Sequence, residues 1–206
     1  MKTWKTVAIA LLILVLVGSF FGWHIIQRGF SARDNPSAVE AYVARLARKL
    51  SIPTSQRDAR NPFAPTPEVL NEARAHFADH CAICHGNDGS GKTEIGQNLY
   101  PKAPDMRQPA TQNLTDGELY SIIHNGIRLT GMPAWGGPDK DDDSWRLVVF
   151  IRHLTKMGPR EMKEMERFNP KSPAELSEEQ DEERFLSGGE APKMNMKMKM
   201  KKQMQH

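Results

Sequence analysis

Only two cysteines occur in the chain, and both stand in the run Cys81-Ala82-Ile83-Cys84-His85. C-x-x-C-H is the attachment sequence of a c-type haem. The spacing has a mechanical reason. Both thiols must reach the vinyl groups on one edge of a porphyrin to form thioethers, and the next residue, His85, is then held beneath the iron as its proximal ligand. Three other chemistries of a cysteine pair fit less well. A thioredoxin-like dithiol expects a βαβ setting, which the sequence does not show. A structural zinc site needs four ligands, and no second C-x-x-C exists to complete one. A disulfide is the plain alternative outside the cytosol, but it leaves His85 in register without a reason.

A sixth iron ligand must come from elsewhere in the chain. The candidates are Met106, Met132, His124, His153 and Met157. Met132 is preferred, because Gly131-Met132-Pro133-Ala134-Trp135 is a Gly/Pro-shaped loop that can present a thioether without helical constraint. His124 and His153 fall on expected helices as surface or packing residues. His76 and His80, just before the motif, receive no role.

The elements that must position these groups are helical. Thr66-Pro67-Glu68 starts a helix whose apolar residues Val69, Leu70, Ala73 and Phe77 lead into Cys81. Thr115-Asp116-Gly117-Glu118 is a capping box that opens a short helix through Leu119, Ile122 and Ile123, closed at Asn125-Gly126. Asp141, Asp142 and Asp143 put negative charge at the start of a last helix, with Trp145, Val148, Val149, Ile151 and Leu154 as its apolar residues. Residues 86–114 are rich in Gly, Pro, Asn and Asp and show no strand alternation. A compact domain over 67–158 with such long loops is short of core unless a large prosthetic group fills it.

Residues 6–27 carry no formal charge, and Trp4 and Trp23 bracket the run. At 1.5 Å per residue they are roughly 28 Å apart, the hydrocarbon thickness of a bilayer. The length favours a retained transmembrane anchor over a cleaved signal, and neither Ser19 nor Ala32 ends a clean small-x-small site. Residues 1–5 are then the cytoplasmic N-terminus. Haem c is attached outside the bacterial cytoplasmic membrane, so the chain is expected to be single-pass with its soluble part in the periplasm.

Between anchor and domain lies segment 28–66. Asn35-Pro36 reads as an N-cap and first helical residue, and Val39, Tyr42, Val43, Leu46 and Leu50 recur at helical spacing among Arg45, Arg48 and Lys49. Two readings stand: a helix packing its stripe on the domain or a partner, and an interfacial helix on anionic headgroups. Pro53, Pro62, Pro65 and Pro67 then mark an extended linker. Segment 159–206 is expected to be a largely disordered charged tail, with a helical start at 161–168. Its end alternates lysines with Met194, Met196, Met198, Met200 and Met204, soft thioethers that would select Cu(I). The plain alternative is a solvated basic tail. A net charge of +3 on 206 residues argues against nucleic-acid binding.

These residues resemble the monohaem class I c-type cytochromes over about 67–157: CAICHGNDGSG, the Pro-rich loop, NGI, GMPAW and a closing aromatic helix. The resemblance implies an all-α cytochrome c fold around one covalent haem c, with the first and last helices crossing beside it. It implies that Phe77 packs at that crossing against Trp145 or Phe150, and that the carbonyl of Pro101 or Pro104 accepts from the proximal histidine. Arg128 and Trp135 are candidates near the propionates. The cofactor residues are thus Cys81, Cys84, His85 and Met132, the last two on iron. His/Met ligation fills both axial positions, which suits an electron carrier rather than a catalyst, working with an oxidase, dehydrogenase or reductase. The alternatives are a haem enzyme or gas sensor with a labile sixth ligand, and copper handling by the Met-rich end.

Overall fold

The computed structural model describes residues 2–137, 141–171 and 173–188. The described residues hold helices and no strand. The Met-rich end, with its copper candidates Met194, Met196, Met198 and Met200, lies outside them.

Helix α1 (Lys2–Arg28) is apolar on every side. Leu11, Leu12, Leu14, Leu16, Phe20 and Trp23 all project away from the rest of the protein. A core helix of a soluble domain would bury them; this one is long and apolar enough to cross a membrane. Helix α2 (Ala38–Ser51) begins two residues later than the Asn35-Pro36 signal predicts. Ser37 is the true cap, its hydroxyl accepting from the Glu40 N–H at 3.2 Å.

The expected linker is also corrected. Residues 53–63 are laid against the domain by specific bonds. Short helix α3 (Thr54–Arg57) packs on the helix Asp116–Asn125, the Thr115 hydroxyl donates to the Arg57 carbonyl at 2.6 Å, and Asn61 donates to the Trp145 carbonyl at 2.9 Å. The Arg146 guanidinium lies 4.5 Å from the centre of the Phe63 ring.

The domain proper starts at α4 (Pro67–His76), capped by Thr66, whose hydroxyl accepts from the Val69 N–H. A π-turn (Phe77–Cys81) follows, then α5 (Ala82–His85). Two single-turn helices, α6 (Glu94–Gln97) and α7 (Pro109–Gln112), punctuate the long loop. Next come α8 (Asp116–Asn125) and α9 (Asp141–His153). The capping box of α8 closes in both directions: Thr115 Oγ1 accepts from the Glu118 N–H, and Glu118 Oε2 accepts from the Thr115 N–H.

The core forms where α4 crosses α9. Phe77 and Phe150, both essentially inaccessible, meet with ring centres 5.1 Å apart. Phe150, not Trp145, is therefore the partner of Phe77; Trp145 stacks on Tyr120 at 4.2 Å.

The helical start expected at 161–168 is present, and it stays on the body of the domain. Helix α10 (Pro159–Met165) and a 3-10 turn (Glu166–Phe168) bring Met165, fully buried, into the core, with Phe168 packed beside it. Glu161 and Glu164 pair with Arg74 of α4, each at 3.4 Å. The sequence marks a helical start here but not its burial, because Met162, Met165 and Phe168 are only three apolar residues in an acidic stretch. Helix α11 (Pro173–Leu186) follows.

Candidate haem site

Cys81 closes the π-turn, and Cys84 and His85 occupy the single turn of α5. Positions three and four apart share a helical face, so both sulfurs and the imidazole are turned towards one cavity of about 270 Å³. Packed interiors hold few voids larger than a water molecule, and this one is walled chiefly by apolar side chains. Phe77, Leu99, Met106, Ile123, Ile127 and Leu147 are among them.

The two thiols are not joined to each other. Burial pushes the Cys81 thiol up to about 12, helped by Cys84, and burial also raises Cys84. Neither is a reactive thiolate. No cluster of three or more His, Cys, Asp or Glu side chains suited to a metal ion exists among the described residues.

His85 is buried, and burial holds its imidazole down at about 4, neutral at pH 7. The Pro104 carbonyl opposes that shift, and it, rather than Pro101, is the acceptor facing the ring. It closes no hydrogen bond of good geometry, so Nδ1 is a buried polar atom still lacking a partner. The backbone around His85 is drawn tight. Gly91, in the left-handed region at φ +69°, donates its N–H to the His85 carbonyl at 2.7 Å. A Cβ on Gly91 would run into the Ala103 carbonyl. The Thr93 hydroxyl donates to the Cys84 carbonyl at 3.0 Å.

Met132 reaches the same cavity from the opposite side of the sequence. Its loop is pinned to the end of α8. Gly126, at φ +64°, lies so close to the Pro133–Ala134 peptide that no side chain fits. The Trp135 N–H donates to the Ile123 carbonyl at 3.1 Å, and Ile127 donates to the Met132 carbonyl at 3.1 Å. Thr130 Oγ1 accepts from the Met132 N–H.

Of the other candidates, only Met106 also lines the cavity, and it is buried there. His124 sits beside the Tyr120 hydroxyl and Asp141, and His153 bonds Glu161 at 3.1 Å, both outside the cavity wall. Met157 packs against the core instead. Trp135 lines the cavity and meets His80 edge-on at 5.4 Å, whereas Arg128 does not line it. Sequence reasoning missed Leu99 and Lys102 as lining residues, which no local pattern marks, and gave no role to Ile127, which ends the NGI run.

Two unjoined thiols, an imidazole and an apolar slot fit a covalently held porphyrin with iron. Residues 68–151 match the family described as cytochrome c oxidase, cbb3-type, subunit III. They form a c-type cytochrome domain. With α1 ahead of it, the chain is a membrane-anchored c-type cytochrome, and the group suited to its cavity is haem c. Over 89 residues, 43% of the chain, it is 34% identical to the cbb3-type cytochrome c oxidase subunit FixPc of Rhizobium leguminosarum bv. viciae. Identity is also 34% to the FixP subunit of Rhizobium meliloti and 33% to that of Sinorhizobium medicae. The match covers 28–29% of those relatives, so this cytochrome corresponds to under a third of their length.

Proposed function

We propose that this cytochrome is a membrane-tethered carrier of single electrons, on the periplasmic side, for an oxidase of the cbb3 kind or a similar redox partner. It carries one haem c. Cys81 and Cys84 would hold the porphyrin as thioethers, and His85 and Met132 would ligate its iron. The convergence of these four side chains on a single apolar cavity carries the reading.

Bound haem c supplies a one-electron couple. The chain's own residues hold and seal it. His85 stays neutral, with a lone pair available for iron. The loop bonds at Ile127, Thr130 and Trp135 preset the position of the Met132 thioether before any ligand is bound. The walls are chiefly apolar and offer few dipoles to reorient, so little should rearrange around the site when its charge changes. With His85 and Met132 both engaged, no position would be left for a substrate, which separates this reading from a haem enzyme or gas sensor.

The test is the ferric absorption spectrum together with the intact mass. The holoprotein should weigh as the chain plus one haem and show the methionine-to-iron charge-transfer band. Met132→Ala should abolish that band and lower the reduction potential, since the thioether favours ferrous iron, while Met106→Ala should keep it. Loss of the band in Met106→Ala with survival in Met132→Ala would assign the distal ligand to Met106. Rapid carbon monoxide binding by the untreated ferrous protein would overturn the carrier reading.

A further inference from the structure

Helices at the surface of soluble domains turn their apolar stripe towards the core. In α2 the orientation is reversed. Val39, Tyr42, Val43, Leu46 and Leu50 share one face and are each between 43% and 75% exposed. The side that α2 presents to the cytochrome domain is polar. Glu40 Oε1 accepts from the Tyr100 hydroxyl at 2.5 Å, and Arg48, half-buried, is drawn to Glu118. The domain therefore grips the helix by its hydrophilic face and leaves the greasy one outside.

What covers that face follows from where α2 begins. Only residues 29–37 separate it from α1. Nine residues reach at most about 30 Å when fully extended, and a turn closed by the Asp34 N–H on the Ser31 carbonyl shortens them further, so α2 begins near the surface of a bilayer that α1 spans. Phe30, in the connection, is 87% exposed. Arg45 and Lys49, one helical turn apart, border the Tyr42 edge of the stripe, where an anionic surface would meet them. The acidic residue of α2, Glu40, is on the domain side.

We propose that α2 lies in the headgroup–acyl boundary of the bilayer spanned by α1, with its apolar stripe inward and Arg45 and Lys49 on anionic phospholipid headgroups. Such binding combines buried apolar area with attraction to anionic lipid. It also has a consequence for the cytochrome domain. Tyr100 adjoins Pro101 and Lys102, which line the haem cavity, and the Lys102 ammonium donates to the Arg33 carbonyl at 3.4 Å. Seating α2 on the membrane thus sets the height and tilt of the cavity above it. The anchor is then a two-point mount rather than a swivel.

The inference rests on α1 spanning the bilayer, and the experiment separates the two. The full holoprotein is reconstituted in phosphatidylcholine vesicles containing about one third phosphatidylglycerol. These are doped with a phospholipid carrying a photoactivatable group near the headgroup end of its acyl chain, and adducts are mapped by mass spectrometry. Adducts are expected on α1 and on the stripe residues of 39–50. Those on α2 should fall several-fold in the Arg45→Glu/Lys49→Glu variant and in phosphatidylcholine alone, while α1 adducts are unchanged. Both substituted residues are exposed, so the variant should keep its haem spectrum. Adducts confined to α1, or α2 cross-linked to a second copy of the chain instead of lipid, would overturn the proposal while leaving the anchor intact. Adducts on neither helix would remove both.

Discussion

Asp105 accepts from the backbone N–H of Arg107 at 3.0 Å and from its guanidinium at 2.9 Å, and Arg107 reaches on to Asp88 at 3.2 Å. This clamp ties the loop that carries Pro104 and Met106 to the residues just after the C-x-x-C-H motif. The Arg107 hydrogen bond, chiefly, holds the Asp105 carboxyl well below the usual carboxylate range. A carboxylate whose folded pKa is depressed contributes stability that is fully present above its unfolded value and is lost as pH falls towards the folded one. Asp105→Asn should therefore cost about 1 kcal/mol at neutral pH, a charged hydrogen bond discounted for its partial exposure. The gap to wild type should narrow as pH is lowered from about 6 to about 3, through the ordinary carboxylate range. Denaturant midpoints of the holoprotein across that range are the measurement, and a gap independent of pH would separate the clamp from its ionisation.

Thr115 uses both its hydroxyl, which accepts from the Glu118 N–H and donates to the Arg57 carbonyl, and its own N–H, which donates to Glu118. These bonds cap α8, complete the box and lash α3 to the domain. Gly117 allows the same approach, since a Cβ there would collide with the Gln56 carbonyl. Loss of an N-cap costs about 1–2 kcal/mol, so Thr115→Ala should lower stability by that much and also speed proteolysis within 53–63. Thr115→Ser should restore both. At the other end, Met165→Ala should cost about 2–5 kcal/mol in a denaturant melt, as expected for a fully buried side chain. A disordered tail would register no change. These two elements mark the limit of what the sequence revealed. The capping box of α8, the C-x-x-C-H turn and the Gly–Pro loop before Trp135 were legible because each is encoded within a few residues. The lashing of 53–63 and the docking of Met165 were not. They depend on single long-range partners, Arg57 with Thr115 and Met165 with the α4–α9 crossing, which leave no periodic trace. The sequence left Trp145 and Phe150 both open for the same reason, since only the packing of the two helices decides which aromatic meets Phe77.

At the scale of the whole molecule, the haem cavity and the membrane-spanning helix occur in one chain, and the connection between them is short and bonded to the domain. A tether of this kind replaces free diffusion with a local concentration set by its reach, which for short connections is on the order of millimolar. If the partner is membrane-embedded, removal of α1 should convert a first-order electron transfer into a bimolecular one. The measurement uses the proposed oxidase partner in vesicles, with the full cytochrome co-reconstituted or with a chain lacking residues 1–28 added in solution. For the anchored form, the rate of haem oxidation should be insensitive to dilution of the vesicles. The soluble form should slow in proportion to dilution, and at micromolar concentration run on the order of a hundredfold or more below the anchored rate. Equal rates for the two forms would mean that the partner is itself soluble and that α1 serves position rather than encounter. A soluble form that still collects on anionic vesicles through α2 should recover part of the anchored rate, and added salt should remove that part, because the attraction of basic residues to the surface is screened within a Debye length.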